Sequence, residues 1–163
     1  MRCKFFLGLL LIGICNLAMG QSLKPWTWEI YRMKFKLPNN MTIQESTEEK
    51  FEATNNVITL DIYPRKGENL TYSGMKRAIV NWAGQTKLRY DDYNKSGSAQ
   101  PIYLSNVNRY WGCAIDGRKQ GAAVSILLLV DPDYPNISFY IWLSYLDDYY
   151  QDAVQILKSF EPK

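Results

Sequence analysis

Residues 57–84 read VITLDIYPRKGENLTYSGMKRAIVNWAG, and the hydrophobic period changes inside that stretch. Up to Tyr63 the apolar residues alternate with polar ones, the period-two signature of a strand, and Pro64 is expected to end it. From Met75 onward the period lengthens. Met75, Ala78, Ile79, Trp82 and Ala83 fall at i, i+3, i+4, i+7 and i+8, an apolar stripe along one face of a helix. Thr71 or Ser73 is placed to cap its start, and Gly84 to end it.

Strand signals extend outward on both sides of this helix. Upstream, Met33, Phe35 and Leu37 alternate with Arg32, Lys34 and Lys36, and Pro38-Asn39-Asn40 then turns the chain. Met41 and Ile43 start a return strand, Phe51 and Ala53 a third, and Asn55-Asn56 makes the next turn. Downstream, 102–104 and 107–115 read as strand, and Asp116-Gly117 opens a polar turn through Gly121. The run 122–130 is apolar except for Ser125, as expected of a central strand covered on both faces. Residues 131–136 turn the chain and 137–146 form another strand. Asp147 or Asp148 caps a closing helix whose stripe is Tyr149, Ala153, Ile156, Leu157 and Phe160, with Lys158 near its end as the helix dipole prefers. Four strands, a helix, three strands and a helix, with short connections, predict an antiparallel sheet carrying helices on its faces: an α+β fold.

Composition narrows the function. The chain has 163 residues, 47% hydrophobic and 21% charged, the profile of one ordinary globular domain. It contains no histidine, which removes the usual catalytic triads, His-ligated zinc and haem, and the commonest general base near neutral pH. Aromatics reach 14%, with 12 Tyr and 5 Trp.

Residues 1–20, MRCKFFLGLLLIGICNLAMG, have the three parts of a secretory signal peptide. Arg2 and Lys4 give the positive start, 5–14 the apolar run, and Ala18 and Gly20 the small residues before a cut at Gln21. The apolar run is shorter than the roughly 20 residues a membrane anchor needs, and Ile14 before Cys15 does not fit a lipobox. Cleavage leaves a single domain over 21–163, with no integral membrane segment after the leader and an exported, periplasmic or secreted, destination. Without Arg2 and Lys4, 17 basic residues face 16 acidic ones, a net of +1 that gives no footprint for nucleic acid. Cys3 and Cys15 leave with the leader, so Cys113 has no partner for an internal disulfide and reads as a small buried apolar side chain.

The element order, together with YRMKFKLPNNMTIQ at 31–44 and ILKSFEPK at 156–163, resembles the PsbP-like superfamily. That superfamily includes lumenal extrinsic proteins of photosystem II and many small exported bacterial proteins, and a nuclear Ran-binding import factor shares its fold. The likeness covers most of residues 28–162. It implies a single-domain α/β/α sandwich around a mostly antiparallel sheet, and proteins that bind or assemble rather than catalyse. It supplies no catalytic motif, so none is carried to this chain.

Asp131 and Asp133 have the alternate spacing of a calcium loop, but Pro135 and Asn136 fall where the third ligand and the glycine belong, and a Pro-rich hairpin turn explains the segment. Asp91-Asp92 and Asp147-Asp148 are adjacent pairs whose side chains diverge in an extended chain, a poor arrangement for two carboxyls working on one bond. Sequons stand at Asn40, Asn69 and Asn136. Arg32, Lys34 and Lys36 form a basic strip on one strand face, which a solvated outer face explains. The loop DDYNKSGSAQP, 91–101, contributes little core, so Tyr90, Asp91, Asp92 and Tyr93 are the candidate binding residues, flat rings beside carboxylates on a loop. Trp26 and Trp28 lie near the mature start with no packing partner evident in the sequence. The expectation is an exported, non-catalytic binding or assembly protein of the bacterial cell envelope, monomeric or weakly dimeric, with no cofactor or metal, whose partner is another envelope protein or a glycan. A carbohydrate or small-ligand module using exposed aromatics is the second reading.

Overall fold

The apolar run at 122–130 is the spine of the fold: it pairs on both edges, and seven of its side chains divide between two cores. The structure, a computed structural model, describes residues 20–90 and 102–163, without side chains at 89–90 and 102–106. In chain order the elements are β1 (Leu23–Trp28), β2 (Met33–Pro38), β3 (Thr42–Ser46), β4 (Phe51–Thr54), β5 (Ile58–Lys66), α1 (Met75–Gln85), β6 (Arg89–Tyr90), β7 (Ile102–Val107), β8 (Tyr110–Lys119), β9 (Ala122–Val130), β10 (Ile137–Tyr145), α2 (Tyr150–Lys158) and β11 (Glu161–Pro162). A large sheet runs β3-β4-β5-β10-β9-β8-β6, with β7 also on β8, and a small one runs β1-β2-β11. All of these pairings are antiparallel.

Alternation along β9 sets the layers. Val124, Ile126, Leu128 and Val130 face α1, where they meet Met75, Ile79, Trp82 and Ala83. Leu127 and Leu129 face the other way, with Ile58, Leu60, Ile62, Ile141 and Leu143. That second face is covered by Met33, Phe35 and Leu37 of the small sheet and by Ala153, Ile156 and Leu157 of α2, with Phe160 beyond it. Two helices therefore lie on opposite faces of one antiparallel sheet, the α+β architecture expected from the element order. Ser125, the one polar residue of the spine, bonds to Asp116 Oδ1 and lies 3.1 Å from the Tyr145 hydroxyl, so its burial leaves no group unpaired.

Several local expectations need correction. The turn after β2 does not make a hairpin: the Met41 N–H donates to Pro38 O at 3.1 Å, and the chain crosses from the small sheet to the large one. Along its whole length β2 pairs with β1, whose sequence LKPWTW carries no clean alternation and a proline. This strand gives Trp26 and Trp28 their packing. Trp28 is 1% exposed, with ring centroids 4.8 Å from Tyr31 and 5.7 Å from Phe51, and Trp26 lies 6.4 Å from Phe51. Pro64 does not end β5 but sits inside it opposite Phe139. On the other side β4 reaches only to Ile62, so one edge of β5 is open there and tolerates a residue without an N–H.

Both helix ends differ in detail. Thr71 caps a 3-10 turn ahead of α1, its Oγ1 accepting from Gly74 N–H at 3.2 Å. Gly84 lies within α1. The helix is closed by Lys87 in the left-handed conformation (φ 55°), with Lys87 N–H donating to Gly84 O at 3.1 Å and Leu88 N–H to Ala83 O at 3.0 Å. This is a Schellman closure with lysine at the position that glycine usually takes. Asp147 and Asp148 belong to a 3-10 turn, make no cap bond, and precede a helix proper that starts at Tyr150.

Candidate functional site

Helix α1 packs on β8 and β9 and reaches β5 only through Trp82 against Tyr63, leaving β4 and most of β5 uncovered. Because strand side chains alternate, the same face of those two strands carries Glu52, Thr54, Thr59, Asp61, Tyr63 and Arg65, while their neighbours Phe51, Ala53, Leu60 and Ile62 are core. Strand register then brings aromatics beside charges: Asp61 stands opposite Trp142 on one side and Glu52 on the other, and Tyr63 stands opposite Tyr140. At the step between α1 and this bare half-face is a cleft of about 410 Å³, lined by Glu49, Asp61, Tyr63, Arg65, Trp82, Thr86, Lys119 and Trp142 among others.

Trp82 is the hinge of the aromatic wall. Its ring lies 6.1 Å from Trp142 at 81° and 6.4 Å from Tyr63 at 69°, both edge-to-face arrangements. It is buried, as its place on the helix stripe predicts, whereas Trp142 and Tyr63 are half-buried and keep part of their surface in the cleft. Lys119 Nζ lies 5.3 Å from the Trp142 centroid and donates to Thr86 O at 2.6 Å, which ties β8 to the end of α1. On the sheet, Lys50 Nζ donates to Glu52 and lies 2.9 Å from Asp61 Oδ1 and 5.4 Å from the Tyr63 centroid. The Arg65 guanidinium lies 4.1 Å from the Tyr140 ring, and the Tyr140 hydroxyl donates to the Glu68 carboxylate at 3.0 Å.

Burial shapes the charges of this band. It pushes the Asp61 carboxyl above its ordinary value, against the pull of Lys50. Burial alone would lower Lys50, but the hydrogen bonds it donates to Glu52 and Asp61 reverse that and hold it charged. Burial, then the Asp61 charge, also raises the Tyr63 phenol. Glu52 and Asp61 converge on the Lys50 ammonium rather than on open space. The arrangement sets flat rings beside oriented charges.

A second cleft of about 470 Å³ lies at the far end of the large sheet, floored by Tyr31, Tyr110 and Phe139. Ile30 (47% exposed) and Tyr134 (69% exposed) stand on its rim. Asp131 and Asp133 are there, and Asp131 Oδ1 accepts the Asp133 N–H at 2.9 Å, closing the turn that the prolines suggest. Among the described residues no three acidic or thiol groups gather as metal ligands.

The sequence-derived loop site fares differently. Arg89–Tyr90 is a short strand whose backbone pairs with Gly117 and Arg118, so Tyr90 starts the loop from a sheet edge rather than within it. Asp91, Asp92 and Tyr93 lie outside the described residues, as do residues 1–19. Of the basic strip, Lys34 is 3.7 Å from Glu161 and Arg32 sits in a left-handed turn before β2. Asp147 pairs with Arg118 at 2.9 Å. Cys113 is fully buried under α1, where burial pushes its thiol up to about 11. No helix among the described residues is long and apolar enough to cross a membrane.

Neither a protein-family profile nor a curated protein sequence matches the chain. Among solved structures it is similar to a crystal structure from Bacteroides thetaiotaomicron VPI-5482, with a TM-score of 0.48 and 14% identity over 89% of this chain and 49% of that one. This chain thus spans about half the length of that protein.

Proposed function

We propose that this is an exported, non-catalytic binding protein whose α1-side cleft takes a small polar ligand with a flat apolar face, a glycan being the class that fits. The single observation behind this reading is the wall of Tyr63, Trp82 and Trp142 beside Asp61, Arg65 and Lys119 in one cleft. Sugar rings offer C–H faces to aromatic rings and hydroxyls to charged groups, and such clefts combine both. Export is supported by the leader-like sequence of residues 1–20. A PsbP-like kinship is in keeping with helices on opposite faces of an antiparallel sheet, and with binding in place of catalysis.

The test is an immobilised glycan panel probed with the mature protein, its Trp142→Ala variant, and Lys119→Met as a milder change. Binding to a defined glycan subset that falls at least about tenfold in both folded variants supports the reading, since about 1.4 kcal/mol corresponds to that factor. Binding to no glycan, or equal binding by all three proteins, ends it. An assembly role is the second reading, favoured by Ile30 and Tyr134 standing exposed together on the rim of the other cleft.

A further inference from the structure

Asp152, in the first turn of α2, is 4% exposed, and a carboxylate that deep requires a partner. The partner it has is the backbone nitrogen of Gln21, 3.2 Å from Oδ1 and 3.2 Å from Oδ2. A peptide N–H carries one proton and cannot serve two oxygens well. An α-ammonium at the same place has three protons and a full positive charge, and would give each oxygen its own charge-assisted bond. Gln21 is the residue that the leader pattern makes the first of the mature chain. We propose that Asp152 is a built-in binding site for the α-ammonium released by cleavage after Gly20, so that leader removal completes the junction between the N-terminal strand and α2. This inference rests on the leader reading of residues 1–20.

The surroundings suit the role. An added Cβ at Gly20 would come within 3.0 Å of Asp152 Oδ1, so the chain entering from the leader passes tight against the carboxylate and only glycine fits without a shift. The groups that face Gln21 are Asp152 from α2 and the neutral Asn55 from the β4–β5 turn, whose Nδ2 donates to the Gln21 Oε1 at 3.2 Å. Both groups needed for cyclisation of an N-terminal glutamine are thereby engaged. That reaction forms a bond from the α-nitrogen to Cδ and expels the side-chain nitrogen as ammonia. It needs the free amine, and a paired ammonium has no lone pair to offer. The signs are definite. A carboxylate partner raises the α-amino pKa above its ordinary value. The stabilisation is then complete below the ordinary value of about 7.7–8.0 and is lost as pH rises through the raised one.

The experiment begins with the N-terminal sequence of the exported protein, then compares that protein with its α-N-acetylated form, in wild type and in Asp152→Asn. The α-amino pKa is read by nitrogen NMR, the melting temperature by calorimetry, and cyclisation by mass spectrometry. The inference expects a start at Gln21, a raised α-amino pKa, and a melting temperature lowered by acetylation in wild type only. It also expects slow loss of ammonia in wild type and faster loss in Asp152→Asn. A start at Gln21 with an ordinary α-amino pKa, or with acetylation acting equally in both backgrounds, overturns the inference and leaves the leader reading intact. A start at any other residue overturns the leader reading and the inference with it. Should Asp152→Asn fail to fold, the wild-type pKa and the wild-type acetylation effect decide alone.

Discussion

Trp142 on β10 stands directly opposite Asp61 on β5, an indole beside a half-buried carboxylate on the face that α1 leaves bare. Cross-strand neighbours lie about 4.5–5.5 Å apart at Cβ, so one register position sets an apolar ring beside an oriented charge on one wall of the cleft. A carboxylate there persists because Lys50 neutralises it from β4's leading edge. The cleft's chemistry thus depends on a lysine that does not line it.

Replacing that lysine should be felt across the band. Lys50→Met leaves Glu52 and Asp61 facing each other with no cation between them, and should cost about 1–3 kcal/mol, less than a fully buried pair because all three groups keep some solvent. Asp61 already titrates above its ordinary value and should move higher. A carboxyl raised in the folded state stabilises most below about pH 3.9 and loses that as pH rises through its folded value. The variant's deficit, measured by urea unfolding, should therefore grow from acid toward neutral pH; a deficit that shrinks would contradict the assignment.

Cys113 should be inert. Its thiol, raised to about 11 by burial, stays protonated and covered at neutral pH, so a thiol reagent should label it only at the rate of unfolding. The folded thiol's advantage is intact below about pH 8.5 and disappears as pH rises toward its raised value. Cys113→Ala should cost about 1 kcal/mol. Fast labelling of the native protein at neutral pH would show an opening under α1 that the packing does not contain.

Lys87→Gly should raise stability by about 0.5–1 kcal/mol, because the left-handed backbone at φ 55° strains a residue with a Cβ. A thermal melt reads this directly, and a lower melting temperature would mean that the lysine side chain contributes more than the strain removes.

Asn108→Ala should act in the other direction. The Asn108 Nδ2 donates to Lys158 O and Phe160 O, both at 3.0 Å, tying the β7–β8 turn to the end of α2. Asn108 and Arg109 both have positive φ, as a two-residue hairpin turn needs, and alanine tolerates that less well. A loss of about 1–3 kcal/mol is expected in chemical denaturation, and no loss would remove Asn108 as a fastener.

The strands and helices with clean periods were legible from residues alone. Met33, Phe35 and Leu37 are buried as their alternation requires, and the α1 stripe packs on the spine as its spacing requires. β1 was not legible, since LKPWTW alternates poorly and its tryptophans pack against Tyr31 and Phe51, contacts that only the tertiary fold makes. The sheet change after Pro38 is a tertiary choice that a turn sequence does not encode. The cleft was half visible: Asp61 and Tyr63 share a face by simple alternation, but their meeting with Trp142 and Trp82 depends on which strand β5 pairs with and where α1 stops. This cleft is assembled from four separate elements, a convergence that no local pattern in the sequence encodes.

The most direct test of the binding account is a two-dimensional NMR titration of the mature protein with glycans, observing the tryptophan indole N–H signals. The account predicts saturable shifts at Trp142 and Trp82, smaller ones or none at Trp26 and Trp28 across the sheet, and their disappearance in Trp142→Ala. Indole signals that stay fixed while a glycan binds, or shifts confined to Trp26 and Trp28, would contradict it.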